Sequence, residues 1–129
     1  MAIAKWVEPI KESLFVNPDT VLPWMDSLEQ YAGSHDVSYV RYIFNNLKAN
    51  YFWATMNYDS ALVYYRIAHG YALSGKLKRP LVHVLGNLGI LYNFLDNFDS
   101  SNYYYTQATN KANEFEFYDS YVHIINHSF

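Results

Sequence analysis

His123 and His127 stand four residues apart in "HIINH", a spacing that sets two imidazoles on one side of a helix, as a zinc site would. The acidic base of a helical metalloprotease motif is missing from the pair, so they read as surface or core histidines and no metal is expected. Glu114 and Glu116 have the residue types of paired acid and base, but they read as a charge pair closing a helix. "GNLG" at 86 to 89 sits inside an apolar helical pattern, which makes its glycines packing positions rather than a phosphate cradle. Tyr103, Tyr104 and Tyr105 would suit base stacking only if successive helical residues faced one way beside a basic groove, and neither holds. Lys76, Lys78 and Arg79 form the one basic cluster, read as a solvated loop at a helix end where positive charge suits the dipole. With no nucleophile elbow or EF-hand either, the expectation is a protein that is not an enzyme and needs no cofactor.

The elements behind these residues follow from bulk composition first. A chain of 129 residues is long enough for one domain with a real core. Hydrophobic residues make up 51% and charged residues 16%, which excludes disorder, while 14 tyrosines promise large contact surfaces. A net charge of −3 spread along the chain gives no footprint for nucleic acid or an anionic membrane. The absence of cysteine leaves the redox compartment open. No apolar run reaches a membrane span and no signal peptide is encoded, so a cytoplasmic home is the first expectation and an excised piece of an exported protein the alternative.

Repetition organises the rest. "NPDTVLPWMDSLEQYA" at 17 to 32, "NYDSALVYYRIAHGYA" at 57 to 72 and "NFDSSNYYYTQATNKA" at 97 to 112 share a 40-residue phase. Asn17, Asn57 and Asn97 lead each one, followed by Asp and a hydroxyl residue, the chemistry of a turn entering a helix N-terminus. Apolar or small residues then fall at steps of four, three and four: Val21, Met25, Leu28, Ala32; Ala61, Tyr65, Ala68, Ala72; Ser101, Tyr105, Ala108, Ala112. Alanine at adjacent points of a stripe admits a close neighbouring helix. Further helices fill the gaps, giving about seven, near 3–15, 19–33, 37–55, 59–74, 81–95, 99–113 and 117–127, with no strand. Trp6, Ile10 and Leu14 share a side of the first, which is expected to bend or break at Pro9, whereas Pro23 falls in the tolerant first turn of the second. Two registers fit 37–55: one pairs Ala49 with Gly89 and Phe52 with Tyr92, the other slips one residue to pair Leu47 with Leu88 and Tyr51 with Tyr92.

The units carried by Ala49, Phe52, Tyr58, Ala61, Tyr65, Ala68 and by Leu88, Gly89, Tyr92, Phe98, Ser101, Tyr105, Ala108 resemble the tetratricopeptide repeat family over about residues 17 to 129. The period of 40 exceeds that family's usual 34, as in the extended repeats of bacterial regulators and sensor proteins. Ser101 replaces an alanine of the family pattern, and the first echo looks like a capping unit. The resemblance implies an all-α, right-handed solenoid of antiparallel helix pairs, within a single domain: a degenerate N-terminal pair over 1–36, repeats at 37–76 and 77–116, and the first helix of an incomplete repeat at 117–129. It also implies a concave groove, lined by the first helices, that takes a protein or peptide segment.

On those helices Asn46, Asn50, Trp53, His83, Asn87, Asn93 and His123 are the groove candidates, since asparagine amides bond a peptide backbone and tryptophan supplies an anchor. Some co-chaperone members clamp a terminal carboxylate with lysine and arginine there. Only the asparagines match that clamp, apart from Lys48, whose facing depends on the register. The leading expectation is therefore a non-enzymatic interaction module of a larger bacterial regulatory or sensor protein. The alternative is a self-association scaffold, a homodimer covering the stripe of Tyr121, Val122 and Ile125 left by the incomplete repeat.

Overall fold

The computed structural model describes residues 2–117, and these are helical throughout apart from their turns and ends. They form α1 (Ala4–Ser13), a 3₁₀ turn (Pro18–Val21), α2 (Leu22–Ser34), α3 (Ser38–Ala54), α4 (Tyr58–Ser74), α5 (Lys78–Phe94) and α6 (Phe98–Glu114). The all-α reading holds, with no strand among the described residues. The seventh expected helix, 117–127, lies outside the described residues except for Phe117. The chain divides into two compact units, one ending at Tyr71 and one beginning at Ala72, so the boundary falls inside α4.

In the first unit, α1 runs unbroken through Pro9 and buries Ile3, Val7, Ile10 and Leu14, with Trp6 only partly covered. The expected stripe of α2 is buried in full, Val21, Met25, Leu28 and Ala32, and meets Val40, Phe44 and Leu47 of α3. Pro18 enters a 3₁₀ turn and Pro23 stands in the first turn of α2, where its missing N–H removes no helical bond.

From α3 onward the backbone keeps a stricter rhythm than the sequence. Each of α3 to α6 has 17 residues, and consecutive helices are separated by three. The turns share one lock. The Asn57 N–H reaches the Phe52 carbonyl at 2.7 Å and the Met56 N–H the Trp53 carbonyl at 3.0 Å. Leu77 and Lys76, Asn97 and Asp96, and Phe117 and Glu116 do the same after α4, α5 and α6. This is the Schellman pattern, which requires a left-handed residue just past the helix end. Met56, Lys76, Asp96 and Glu116 take that conformation with φ of 65°, 53°, 60° and 62°, and none is glycine. The 40-residue unit is thus two 17-residue helices and two three-residue turns.

The stripes of α4 and α6 are buried throughout: Ala61, Tyr65, Ala68 and Ala72, then Ser101, Tyr105, Ala108 and Ala112. Phe52 stacks on Tyr64 with centroids 5.4 Å apart, and Tyr92 on Tyr104 at 5.5 Å. These pairs are separated by 40 positions at both ends, so the unslipped register of α3 is the one formed. In the second unit, Gly89 lets α5 approach α6 antiparallel. A Cβ on Gly89 would lie 2.8 Å from the Tyr105 ring, and the Gly89 carbonyl accepts from the Ser101 hydroxyl at 2.8 Å. Ser101 stands where the other repeat has Ala61, and that hydrogen bond satisfies the hydroxyl.

The expected start of the second helix, 19, falls in the 3₁₀ turn before α2, and the start of the fifth also differs. α5 begins at Lys78, not 81, because Pro80 occupies its first turn instead of ending a loop. Lys78 and Arg79 therefore sit at a helix N-terminus, where the dipole disfavours cations, and not in a loop after a C-terminus. Aromatic faces receive them: Lys78 stands 5.5 Å from the Phe115 centroid and Arg79 4.1 Å from that of Phe117.

Candidate functional site

In the first unit, Asn46, Asn50 and Trp53 follow one another on one face of α3 at steps of four and three. Asn46 is buried, while Asn50 and Trp53 are half-buried. The Asn50 side-chain oxygen accepts a hydrogen bond from the Tyr65 hydroxyl of α4, and the Trp53 ring meets the Tyr65 ring edge-on with centroids 6.3 Å apart. One turn from Asn46 in the other sense, Tyr42 is also buried. Burial first, and a neighbouring phenol second, raise both the Tyr42 and Tyr65 hydroxyls above the ordinary tyrosine range. His69, a turn beyond Tyr65 in α4, is half-buried, and loss of solvent lowers its pKa. Asn50 and Trp53 thus meet Tyr65 between α3 and α4, with Asn46 buried on the same face of α3. The sequence offered the common face of the three candidates but not the bond of Asn50 to Tyr65, which joins residues 15 apart.

Lys48 points the other way. Its Nζ donates to Glu29 of α2 at 3.4 Å and lies 5.5 Å and 5.2 Å from the Phe44 and Tyr64 centroids. It is turned from the asparagine face and supplies no clamp there. Beside it, Leu22, Met25, Asp26, Glu29, Phe44 and Tyr51 help line a cleft of about 210 Å³ that mixes apolar surface with both signs of charge.

In the second unit, His83 and Asn87 lie one turn apart on α5, His83 exposed and Asn87 half-buried. Asn93 is exposed about a quarter-turn round the helix from His83. His123, Tyr121, Val122 and Ile125 lie outside the described residues.

A second cavity was not anticipated from sequence. About 200 Å³ opens where the end of α4, the turn after it, the start of α5 and the residue following α6 converge. Leu73, Leu77, Leu81 and Phe115 make its apolar wall, with Lys76 and Lys78 also in the lining. The only sequence signal was the basic cluster itself, because Phe115 lies some 40 positions from Leu73 and Leu77.

Among the described residues, no three His, Asp or Glu side chains come together as a metal site would need, and no helix is long and apolar enough to cross a membrane. Set against family models, curated proteins and solved structures, the chain finds no match in any of the three.

Proposed function

We propose that this chain is a non-enzymatic interaction module of the tetratricopeptide kind, taking up a protein or peptide segment as part of a bacterial regulatory or sensor protein. One observation carries the reading: the same aromatic stack, Phe52 on Tyr64 and Tyr92 on Tyr104, recurs 40 residues apart between helices of equal length. Duplicated scaffolding of that sort spends its residues on shared packing and leaves polar side chains of the first helices for recognition. His83, exposed, and Asn87, half-buried one turn along α5, are the residues on which the reading is tested.

An unbiased peptide-display selection on the folded chain tests the reading. Enriched peptides should bind the parent and bind a His83→Ala/Asn87→Ala variant at least tenfold more weakly by fluorescence anisotropy. Failure to enrich any peptide sinks the proposal.

A further inference from the structure

We propose that the cavity at the junction of α4, α5 and the end of α6 is a docking site for an acidic peptide segment. The segment would insert one bulky apolar side chain while its carboxylates meet Lys76 and Lys78. The inference rests on the interaction reading above but assigns a different surface, at the turn edge and not along the asparagine face.

Size and lining define the anchor. At about 200 Å³ the cavity is smaller than the roughly 300–1,000 Å³ typical for whole small ligands, yet roomy enough for a single leucine or phenylalanine side chain. Charge defines the flanks. Although the chain is net negative, four of its nine Lys and Arg residues gather at this edge: Lys76, Lys78, Arg79 and Lys111. Lys111 bonds Glu114 at 3.1 Å, and Glu116 stands in the turn after α6, so among the described residues Lys76, Lys78 and Lys111 outnumber the two acids. Lys78 and Arg79 stand on aromatic faces at a helix N-terminus, which the dipole disfavours, and a local rule broken in this way marks a functional position more often than a scaffold one.

The repeat itself supplies the strongest argument. Residues the scaffold needs recur at 40 positions, as Ala68 recurs at Ala108 and Ala72 at Ala112. The cavity's charges do not recur. One repeat earlier, Lys76 and Lys78 are replaced by Asp36 and Ser38, and Leu73 by Gly33. One repeat later, Glu116 holds the backbone position of Lys76, with the same left-handed conformation. Neither the turn nor the helix start therefore asks for lysine.

Those replacements make safe probes. Lys76→Glu installs what the next repeat carries, and Lys78→Ser what the previous one carries. Three labelled peptides should be titrated by fluorescence anisotropy: a Glu/Asp-rich peptide with a central leucine, its central-alanine analogue, and an analogue with every acid replaced by lysine. The first should bind and weaken with added salt, the second should bind at least tenfold more weakly, and the third should not bind. A Lys76→Glu/Lys78→Ser chain with an unchanged helical circular dichroism spectrum should lose at least tenfold for the first peptide. Equal binding of all three, or unchanged binding by the double variant, overturns the assignment. If display-selected peptides depend on His83 and Asn87 while the acidic leucine peptide fails to bind, this site falls and the interaction reading stands. Lysine-dependent capture by phosphatidylserine vesicles, without peptide binding, would overturn the peptide as occupant.

Discussion

The α3–α4 and α5–α6 pairs share one backbone plan and solve the same close approach with different chemistry. In the first, Ala49 and Ala61 stand at the tight positions, and polar groups fill the layer beside them, with Tyr65 bonded to Asn50. In the second, Gly89 takes the ring of Tyr105 directly and its carbonyl takes the Ser101 hydroxyl. Backbone rhythm and aromatic stacks are common to both. The divergent features, a polar layer in one and a basic cavity in the other, belong to single copies. Recurrence thus separates what holds the helices together from what each copy has been free to specialise.

The contrast breaks most severely at the tyrosines. Tyr65→Ala removes a nearly fully buried ring and should cost about 3–5 kcal/mol in denaturant melts. Tyr65→Phe keeps the ring and should cost about 1–2 kcal/mol by stranding Asn50. If both variants cost alike, the polar layer and not the ring dominates. Next in size, Gly89→Ala should destabilise by about 1–3 kcal/mol despite alanine's better helix propensity, because the new methyl meets the Tyr105 ring. Stabilisation there would show that the second pair tolerates the alanine the first pair already has.

Smaller effects probe what the copies share. Replacing Met56 or Asp96 by glycine should raise stability by about 0.5–1 kcal/mol, since each sits at positive φ where a Cβ is strained. Equal gains at both would confirm a common lock in the two units. Lys78→Glu should raise the melting free energy by about 0.3–1 kcal/mol by suiting the N-terminus of α5.

The weakest effect concerns pH. The folded chain holds the His69 pKa below its unfolded value of 6.5, so the unfolded chain binds the extra proton first. Stability contributed by neutral His69 is complete above that value and is lost as pH falls through the folded pKa. His69→Gln should flatten the acid limb of a thermal-melt series.

Much of the fold was legible because helix–helix contact demands small residues at fixed steps, and every position of the three stripes is buried. The aromatic pairs then chose between the registers of 37–55. The start of α5 was misread because Pro80 and two cations look like a loop, although proline in a first turn is harmless. The left-handed rhythm was invisible, since Met, Lys, Asp and Glu share no side-chain chemistry and glycine holds none of the four left-handed positions. At the site, phase showed which residues share a helix face. Partners such as Glu29 for Lys48 arise from the fold and not from spacing.

The four identical turn locks also bear on how such a chain can change in length. Each 20-residue block of helix and turn closes with the same pair of backbone bonds, whatever its side chains are. A stretch such as 58–97 therefore begins and ends in one phase of the lock, and copying it in tandem rejoins the chain with no new turn to invent. A single inserted residue within a helix would instead rotate everything beyond it by about 100° and misalign the alanine stripe. Growth by copying is cheap for this chain and growth by single residues is not, so copy number is the variable that its architecture leaves open.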